Sequence, residues 1–403
     1  MFPSFLSHHR QSLTHPLIRC LVAVALLASS FTTTTLTPTT ATAQITSPAE
    51  FVLLMDHSTG DILYTKNPDA PMKPASMAKL MTAYILLEHI RLGSVTETDR
   101  FEVTEKAWAR GGSRTFLNLG SKVLVSDLMR GIIVQSGNDA AIAIAEGIAG
   151  NEETFVEEMN TKAVELGMRN TFFGNSTGWP DEVTTTTARD LAILARALIN
   201  DFPEYYPMFA ELSFTYNDIA QRNRNTLIYD FEGADGLKTG HTQESGYGIV
   251  GSARRGDQRM ILVMNGIDSE ALRRRESNRL MGLAFRLFDR YTIVEPNEVL
   301  GYASVWLGKE GVVPLTVPDG IVKTLRKRSF QTMKEDISWP TTVNAPITKG
   351  QEIGKITLTI DGEDQVFPIT ASESVDALPV WRYPGAYLYY LIFGIETRPA
   401  PRR

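Results

Sequence analysis

The stretch that most constrains the fold is residues 126–150, SDLMRGIIVQSGNDAAIAIAEGIAG, which is almost entirely apolar or small. A helix that is apolar on every side has to be buried on every side, so it requires a large core around it. The polar triplet Ser136-Gly137-Asn138 interrupts the stretch. We therefore predict two buried helices that meet at the triplet, inside a domain large enough to enclose both.

The chain around this stretch mixes strand and helix patterns. Residues 51–67 carry two apolar runs on either side of Ser58-Thr59-Gly60, which predicts a β-hairpin. A glycine-rich, period-two pattern over residues 234–266 predicts two adjacent antiparallel strands joined at Arg255-Gly256-Asp257. The spacing of apolar residues predicts helices over residues 74–92, 186–201 and 273–291.

The pattern changes near residues 293–297. Beyond this point, short runs of Val, Thr and Ile, broken by Gly and Pro, continue to about residue 371. Such runs are typical of an all-β segment. We predict a mixed α/β domain over residues 44–293, with an antiparallel sheet flanked by helices, and a small all-β domain over residues 294–375.

The first 43 residues have the layout of a secretory signal peptide. Arg10 and Arg19 precede an apolar run, LVAVALLASSF, and an Ala-Thr-Ala sequence ends just before Gln44. We expect residues 1–43 to be removed and the protein to be exported. Cys20, the only cysteine of the chain, lies in this leader, so disulfides, thiolate catalysis and thiolate metal sites are excluded from the mature protein.

Charge and histidine content exclude further classes of function. Without the leader the chain has 38 basic and 46 acidic residues, a balance of −8, because the leader holds two of the 40 basic residues and no acidic one. This balance gives no general attraction to nucleic acid. The remaining histidines, His57, His89 and His241, have neither metal-ligand spacing nor a nucleophile elbow beside them. We expect no metal, no cofactor and no nucleic-acid partner.

A hydroxyl and an amine lie three residues apart in the sequence PASMAKLMTAY, at the predicted start of a helix. Residues with this spacing lie on one helix face, so Ser76 and Lys79 can point into one site. Serine needs a neighbouring base to become a nucleophile, and a lysine can be that base when burial or a second cation lowers its pKa. The spacing alone is common and carries little weight.

Two further triplets indicate what the Ser76–Lys79 pair does. Ser136-Gly137-Asn138 breaks the buried helices, and Lys238-Thr239-Gly240 opens the glycine-rich strands. Together with Ser-x-x-Lys, triplets of this kind mark penicillin-binding proteins and β-lactamases. The stretches PASMAKLMTAY, RGIIVQSGNDAAIAIAE and DGLKTGHTQESGYGIVGSA resemble the low-molecular-mass penicillin-binding proteins of the D-alanyl-D-alanine carboxypeptidase type, serine peptidase family S11. The resemblance extends over residues 51–371.

The resemblance implies a β-lactamase/transpeptidase-like fold and a role for each matched residue. Ser76 would be the acylated nucleophile, Lys79 its base, and Ser136 a proton relay to the leaving D-alanine. Asn138 would bind the acyl-side amide and hold Lys79. The remaining implied substrate-binding residues belong to the opposite wall of the cleft or to flanking segments, namely Lys238, Thr239, Gly240, His241, Arg273 and Arg224.

Within this second group the implied roles differ. Lys238 would supply positive charge, Thr239 would bind the terminal carboxylate, and the backbone N–H groups of Ser76 and His241 would form the oxyanion hole. Arg224 and Arg273 resemble positions near the carboxylate. The assignment of Arg273 is ambiguous because residues 273–275 are all arginine.

The implied partners are peptidoglycan stem peptides that end in D-Ala-D-Ala, with β-lactams as covalent inhibitors, in the periplasm or on the outer face of the cytoplasmic membrane. Three alternatives stay open: a D,D-endopeptidase, a β-lactamase, and a non-catalytic wall-organising protein. A β-lactamase would need a deacylating carboxylate, and the loop NSTGWPDEV over residues 175–183 has no convincing match. The intact motifs argue against a non-catalytic protein.

The tail over residues 376–403 has its own composition. Residues 387–395 are apolar and aromatic, and arginines at 382, 398, 402 and 403 flank them. The run is too short to span a bilayer, whereas tyrosines and arginines suit a membrane surface. We expect peripheral membrane contact, with packing against the β domain or a partner as the alternative.

Overall fold

The computed structural model describes residues 45–393. The predicted leader, including Cys20, and the last ten residues, with the arginines at 398, 402 and 403, lie outside the described residues. From residue 47 onward the described chain belongs to one compact unit.

The α-helices of the described residues are α1 Lys79–Arg91, α2 Glu105–Ala109, α3 Val125–Ile133, α4 Asn138–Ala149, α5 Glu152–Glu165, α6 Ala188–Asp201, α7 Leu227–Asp230, α8 Glu270–Leu287, α9 Lys327–Thr332 and α10 Tyr383–Phe393. Short 3-10 helices span Ala75–Ala78, Tyr206–Ala210 and Val380–Arg382.

The strands of the described residues are β1 Phe51–Asp56, β2 Ile62–Lys66, β3 Arg100–Glu102, β4 Lys122–Leu124, β5 Ser213–Tyr216, β6 Ile219–Arg222, β7 Ala234–Thr242, β8 Gly246–Arg255, β9 Gln258–Ile267, β10 Phe288–Val294, β11 Val299–Trp306, β12 Val312–Thr316, β13 Ile321–Arg326, β14 Lys334–Ser338, β15 Thr342–Asn344, β16 Glu352–Ile360 and β17 Glu363–Ala371.

The main sheet of the first domain is antiparallel, with the strand order β2-β1-β9-β8-β7. The predicted hairpin over residues 51–67 is confirmed by the pairing of β1 with β2. The predicted strand pair around Arg255-Gly256-Asp257 is confirmed as well, because Arg255 pairs with Gln258 across that turn. Strand β7, at one edge of the sheet, carries Lys238-Thr239-Gly240.

The two predicted buried helices are α3 and α4, and they meet at residues 134–137. From Asn138 to Ala145 every residue of α4 is buried. Helix α1 is buried from Lys79 to Leu87, and it joins the same core as α3 and α4. This packing fixes the start of α1 beside the start of α4, so Ser76 and Asn138 face one another.

The helix predicted over residues 273–291 is wrong at both ends. Helix α8 begins at Glu270, because the Ser269 side chain caps it by accepting the N–H of Leu272 at 3.2 Å. It ends at Leu287, and residues 288–294 form β10, which pairs with the distant strand β13. Because the partner strand is about 30 residues away, nearby residues carry no signal of this pairing, and the sequence pattern did not predict β10.

The C-terminal part has a core of its own. Buried apolar residues from Val294 to Val375 form a second cluster around a six-stranded sheet with the order β14-β16-β17-β12-β11-β15. Hydrogen bonds join this part to the first hairpin, since Thr324 donates its N–H to Asp61 at 2.7 Å and its hydroxyl to Asp56 at 3.0 Å. The predicted fold class, a mixed α/β domain followed by a small β-rich one, is confirmed.

Helix α10 is apolar and largely solvent-exposed. Tyr387 contacts Trp306 with ring centroids 5.3 Å apart, but Leu388 and Leu391 point into solvent. Among the described residues no helix is long and apolar enough to cross a membrane.

Candidate active site

The centre of the site is a short turn that presents a serine to a buried lysine. Ser76 lies in the 3-10 helix that runs directly into α1, and Lys79 is the first residue of α1. The Lys79 Nζ and Ser76 Oγ atoms are 3.1 Å apart. Ala75, just before the serine, has a φ of 47°, a strained value for a residue with a side chain, and such strain is concentrated at functional sites.

Two further hydrogen bonds of Lys79 orient its amine relative to Ser76. Lys79 Nζ donates to Asn138 Oδ1 at 2.7 Å and to the carbonyl oxygen of Thr177 at 2.7 Å. The side-chain amide of Asn138 is oriented by its Nδ2, which donates to the Gly111 carbonyl at 2.8 Å. Both partners accept only, so a neutral amine gives them its two hydrogens and turns its lone pair toward Ser76.

Burial favours the neutral form of the Lys79 amine near physiological pH. The Lys79 side chain is 1% exposed. The pKa of Lys79 falls from the ordinary 10.5 to about 7, first because burial removes water and then because of the nearby Arg224 guanidinium. The carboxylate of Asp139 acts in the opposite direction and raises the pKa of Lys79. Lysine at this pKa can act as a general base.

The second motif forms one wall of the cleft. Ser136 has a φ of 61° in the break between α3 and α4, and Asn138 donates its N–H to the Ser113 carbonyl at 2.8 Å. Asp139 is fully buried, and its carboxylate accepts the backbone N–H groups of Thr115 at 2.8 Å and Leu117 at 3.1 Å. Because of these bonds, the loop over residues 111–117 is held against the start of α4.

The third motif forms the facing wall. Lys238 and Thr239 are buried, and strand β7 packs closely on the turn that carries Ser76. A Cβ on Gly240 would stand 2.8 Å from the Pro74 carbonyl oxygen, so glycine allows this close approach. The pKa of Lys238 is lowered well below its usual range, first by burial and then by the charges of Lys79 and nearby arginines.

A cationic cavity of about 520 Å³ opens beside the serine. Its lining residues include Ser76, Ser136, Thr239, Gly240, His241, Arg224 and Arg273. The structure thus brings both candidate arginines to the cleft. Arg273 is 4% exposed, bonds Glu270 at 3.0 Å, and leaves its Nε without a hydrogen-bond partner among the described residues. A buried donor of this kind suits an anionic ligand.

Some residues of the site were missed by the sequence argument. The Thr177 carbonyl accepts a hydrogen bond from Lys79, whereas the sequence argument considered the loop that carries Thr177 only as a place for a deacylating carboxylate. Tyr247 stacks on the His241 ring with centroids 3.8 Å apart. Ser113 also lines the cleft. Within residues 45–393 no cluster of His, Cys, Asp or Glu could hold a metal ion.

An antiparallel sheet flanked by helices, with a Ser-x-x-Lys turn at its edge, defines a serine enzyme of the penicillin-recognising class. The family model of D-alanyl-D-alanine carboxypeptidases matches residues 37–269, and the model of the penicillin-binding protein 5 C-terminal domain matches residues 288–377. The chain belongs to the D-alanyl-D-alanine carboxypeptidases of serine peptidase family S11, the low-molecular-mass penicillin-binding proteins.

Individual relatives agree with the family match. The chain is 37% identical over 340 residues to the D-alanyl-D-alanine carboxypeptidase DacC of Escherichia coli (strain K12), covering 80% of this chain and 83% of that protein. It superposes on penicillin binding protein 5 from Haemophilus influenzae with a TM-score of 0.76 at 36% identity, covering 83% and 100% of the two chains.

A solved structure with a bound inhibitor is also similar. Penicillin-binding protein D2 from Listeria monocytogenes, in its ampicillin-bound form, matches with a TM-score of 0.56 at 28% identity, covering 60% of this chain and 99% of that one. The chain is therefore a serine-type D-Ala-D-Ala carboxypeptidase, and enzymes of this family act on the cell wall, outside the cytoplasm.

Proposed function

We propose that Ser76 is the residue that is acylated when this enzyme releases D-alanine, with Lys79 as its base. The observation that carries the proposal is the 3.1 Å approach of Lys79 Nζ to Ser76 Oγ, with both other contacts of that amine made to acceptors. The Ser76 proton moves to the Lys79 lone pair while Oγ attacks the carbonyl carbon of the penultimate D-alanine. The backbone N–H groups of Ser76 and His241 stabilise the oxyanion.

The leaving group then needs a proton and an anchor. Ser136 relays a proton to the amine of the departing D-alanine, because its side chain lines the same cavity as Ser76. Thr239, Gly240, Arg224 and Arg273 line the cationic side of that cavity, which suits the free carboxylate of the substrate. Lys238 is buried behind them and adds positive charge when the substrate carboxylate is bound, because a nearby anion favours its protonated form.

Hydrolysis of the acyl-enzyme completes the cycle. Water attacks the ester carbon, Ser76 Oγ leaves and regains a proton, and the shortened peptide departs. Asn138 holds the acyl-side amide and the Lys79 amine throughout. The substrates are peptidoglycan stem peptides that end in D-Ala-D-Ala. A β-lactam that imitates this end acylates Ser76 and leaves slowly.

We infer that the flanking segments bring this chemistry to the cell wall. We infer that residues 1–43 direct export and are removed, that residues 44–293 form the catalytic domain, and that residues 294–375 form a separate β domain. We also infer that residues 376–403 touch the outer face of the cytoplasmic membrane. The exposed Leu388 and Leu391 side chains of α10 support this contact.

One experiment tests the central assignment. Purified protein without its leader is incubated with a fluorescent penicillin and, separately, with diacetyl-Lys-D-Ala-D-Ala, alongside a Ser76→Ala variant. We expect stable label and D-alanine release for the wild type and neither for the variant. Label without D-alanine release would favour a non-catalytic wall-organising protein, and rapid loss of label with opened penicillin would favour a β-lactamase. Cleavage of a cross-linked dimer without D-alanine release would favour a D,D-endopeptidase.

A further inference from the structure

Ser76 stands at the junction of two cavities with opposite electrostatic character. The cationic cavity of about 520 Å³ and a second cavity of about 640 Å³ share Ser76, Ser113 and His241 in their linings. Four arginines line the cationic cavity, at positions 222, 224, 273 and 274, and they outnumber its two carboxylates, Asp230 and Glu270. Among the described residues that line the second cavity there is no lysine or arginine, and Glu244 is the sole carboxylate.

This asymmetry gives the bound peptide a direction. If the free carboxylate of the substrate enters the cationic cavity, as the proposed function requires, the chain on the acyl side of the scissile bond runs into the second cavity. An extended peptide advances about 3.3 Å per residue. The residue that precedes D-Ala-D-Ala is therefore one step beyond the acylated alanine, inside the second cavity.

Glu244 is an unpaired carboxylate on a well-held turn. It lies at the tip of the hairpin between β7 and β8, and it makes no hydrogen bond or ion pair with any described residue. The turn is closed by reciprocal bonds, since Thr242 donates its N–H to Ser245 Oγ at 3.1 Å and Ser245 donates its N–H to Thr242 Oγ1 at 3.0 Å. Because the backbone is already fixed, only the Glu244 side chain has to be ordered when it pairs with a ligand cation.

A lysine that lines a neighbouring cavity is already hydrogen-bonded to other groups. Glu244 also borders a neighbouring cavity lined by Lys73. The Lys73 ammonium donates instead to the carbonyl oxygens of Asp181 at 2.9 Å and Glu182 at 3.1 Å. Glu244 therefore remains available to a cation that enters with the substrate.

Trp179 gives the second cavity an apolar surface. Its side chain is 38% exposed and lines the cavity. The indole is fixed in place, since the guanidinium carbon of Arg110 lies 5.2 Å from its centroid and a Cβ on Gly112 would stand 2.8 Å from the ring. A flat, fixed aromatic surface suits a run of methylene groups.

We propose that Glu244 and Trp179 form a subsite for a side chain that ends in a free ammonium on a methylene stem, carried by the residue that precedes D-Ala-D-Ala. The stem packs on the indole, and the ammonium pairs with Glu244. The enzyme then prefers lysine-type or other diamino acids at that position while their side-chain amine is free. An exposed ion pair of this kind corresponds to about a two- to fivefold preference in kcat/KM.

The test uses two peptides that differ by one acetyl group, Nα-acetyl-L-Lys-D-Ala-D-Ala and its Nα,Nε-diacetyl form. We expect the wild type to favour the free amine about two- to fivefold in kcat/KM at low ionic strength. Glu244→Gln should remove the preference, and Glu244→Lys should reverse it. Glu182→Gln is the matched control, because Glu182 is an exposed carboxylate on a neighbouring loop that does not line the second cavity, and it should keep the preference.

A glycyl peptide tests the aromatic surface. Nα-acetyl-Gly-D-Ala-D-Ala has no side chain to pack on the indole, so Trp179→Leu should narrow the advantage of the lysyl peptide over the glycyl one. Equal kcat/KM for the two lysyl peptides in the wild type would overturn the subsite. A preference that survives in Glu244→Gln would overturn it too.

Fluorescent penicillin separates this proposal from the one on which it rests. Penicillin acylates Ser76 without presenting a lysyl side chain. Normal labelling with equal turnover of the lysyl peptides would leave the carboxypeptidase assignment intact and refute the subsite alone. Absence of both labelling and D-alanine release would refute the proposed function, and the subsite with it.

Discussion

The rate of acylation should follow the protonation of one buried amine. With the pKa of Lys79 at about 7, the amine is neutral in about 90% of molecules at pH 8 and in about 1% at pH 5. A lysine at the ordinary 10.5 would be neutral in only about one molecule in 3,000 at pH 7. We therefore expect the second-order rate constant for penicillin acylation to fall about 90-fold from pH 8 to pH 5, with a plateau above pH 8.

Two variants should move this profile in opposite directions. Arg224 lowers the pKa of Lys79 and Asp139 raises it. The midpoint should move to higher pH in Arg224→Gln and to lower pH in Asp139→Asn, which keeps an acceptor oxygen for the loop. Lys238 and Arg110 also face the amine, and both variants retain them. The midpoint, rather than the maximal rate, is the measure, since Arg224 also lines the substrate cavity.

The assay is stopped-flow acylation by a fluorescent penicillin from pH 5 to pH 9.5, with circular dichroism at each pH to show that the fold persists. A rate that still rises tenfold per pH unit at pH 9 would mean that Lys79 keeps its ordinary pKa. A rate that is flat from pH 5 to pH 8 would mean that another group takes the proton. Either result would refute the role given to Lys79.

Two further substitutions test the scaffold. Gly112→Val places a side chain against the Trp179 ring, where even a Cβ would stand 2.8 Å away, so penicillin labelling should slow at least about tenfold in a timed gel assay while far-ultraviolet circular dichroism stays native. Asp61→Ala leaves the Thr324 N–H without its acceptor, so the free energy of unfolding in urea should fall by about 1–3 kcal/mol, whereas labelling of the folded protein should be unchanged.

The sequence predicted which motif residues form the site, but not all of the contacts between them, because short motifs encode only local structure. Ser76 and Lys79 needed only helical spacing, and the break at residues 134–137 followed from a polar triplet inside an apolar stretch. The third partner of Lys79 could not be predicted, since the Thr177 carbonyl belongs to the backbone and any residue type supplies one. Its position depends on how the loop over residues 175–183 folds against α1.

Helical spacing distinguishes the three consecutive arginines at residues 273–275. Buried positions of α8 include Arg273, Ser277 and Leu280, which follow the i, i+4, i+7 spacing of one helix face. Arg274 and Arg275 fall outside this face and are exposed. Helical phase therefore selects Arg273 as the buried arginine of the three, although the exposed Arg274 also lines the cationic cavity. The end of α8 at Leu287, in contrast, depends on the pairing of β10 with a strand that comes later in the chain.

Arg224, which lowers the pKa of Lys79, is also proposed to bind the substrate carboxylate, so substrate binding and proton transfer should be coupled. A substrate carboxylate beside Arg224 opposes the effect of that guanidinium, which raises the pKa of Lys79 in the complex. Loss of water on binding would act in the opposite direction, but Lys79 is already only 1% exposed, so little further desolvation remains. The effect of the carboxylate on the pKa of Lys79 should therefore exceed the effect of desolvation.

We expect the acid limb of the acylation rate constant at saturating penicillin to have a midpoint at higher pH than that of the second-order constant, which reports the free enzyme. Arg224→Gln should narrow the separation. Identical midpoints in the wild type, or a lower midpoint in the complex, would show that the carboxylate binds where it does not influence the amine.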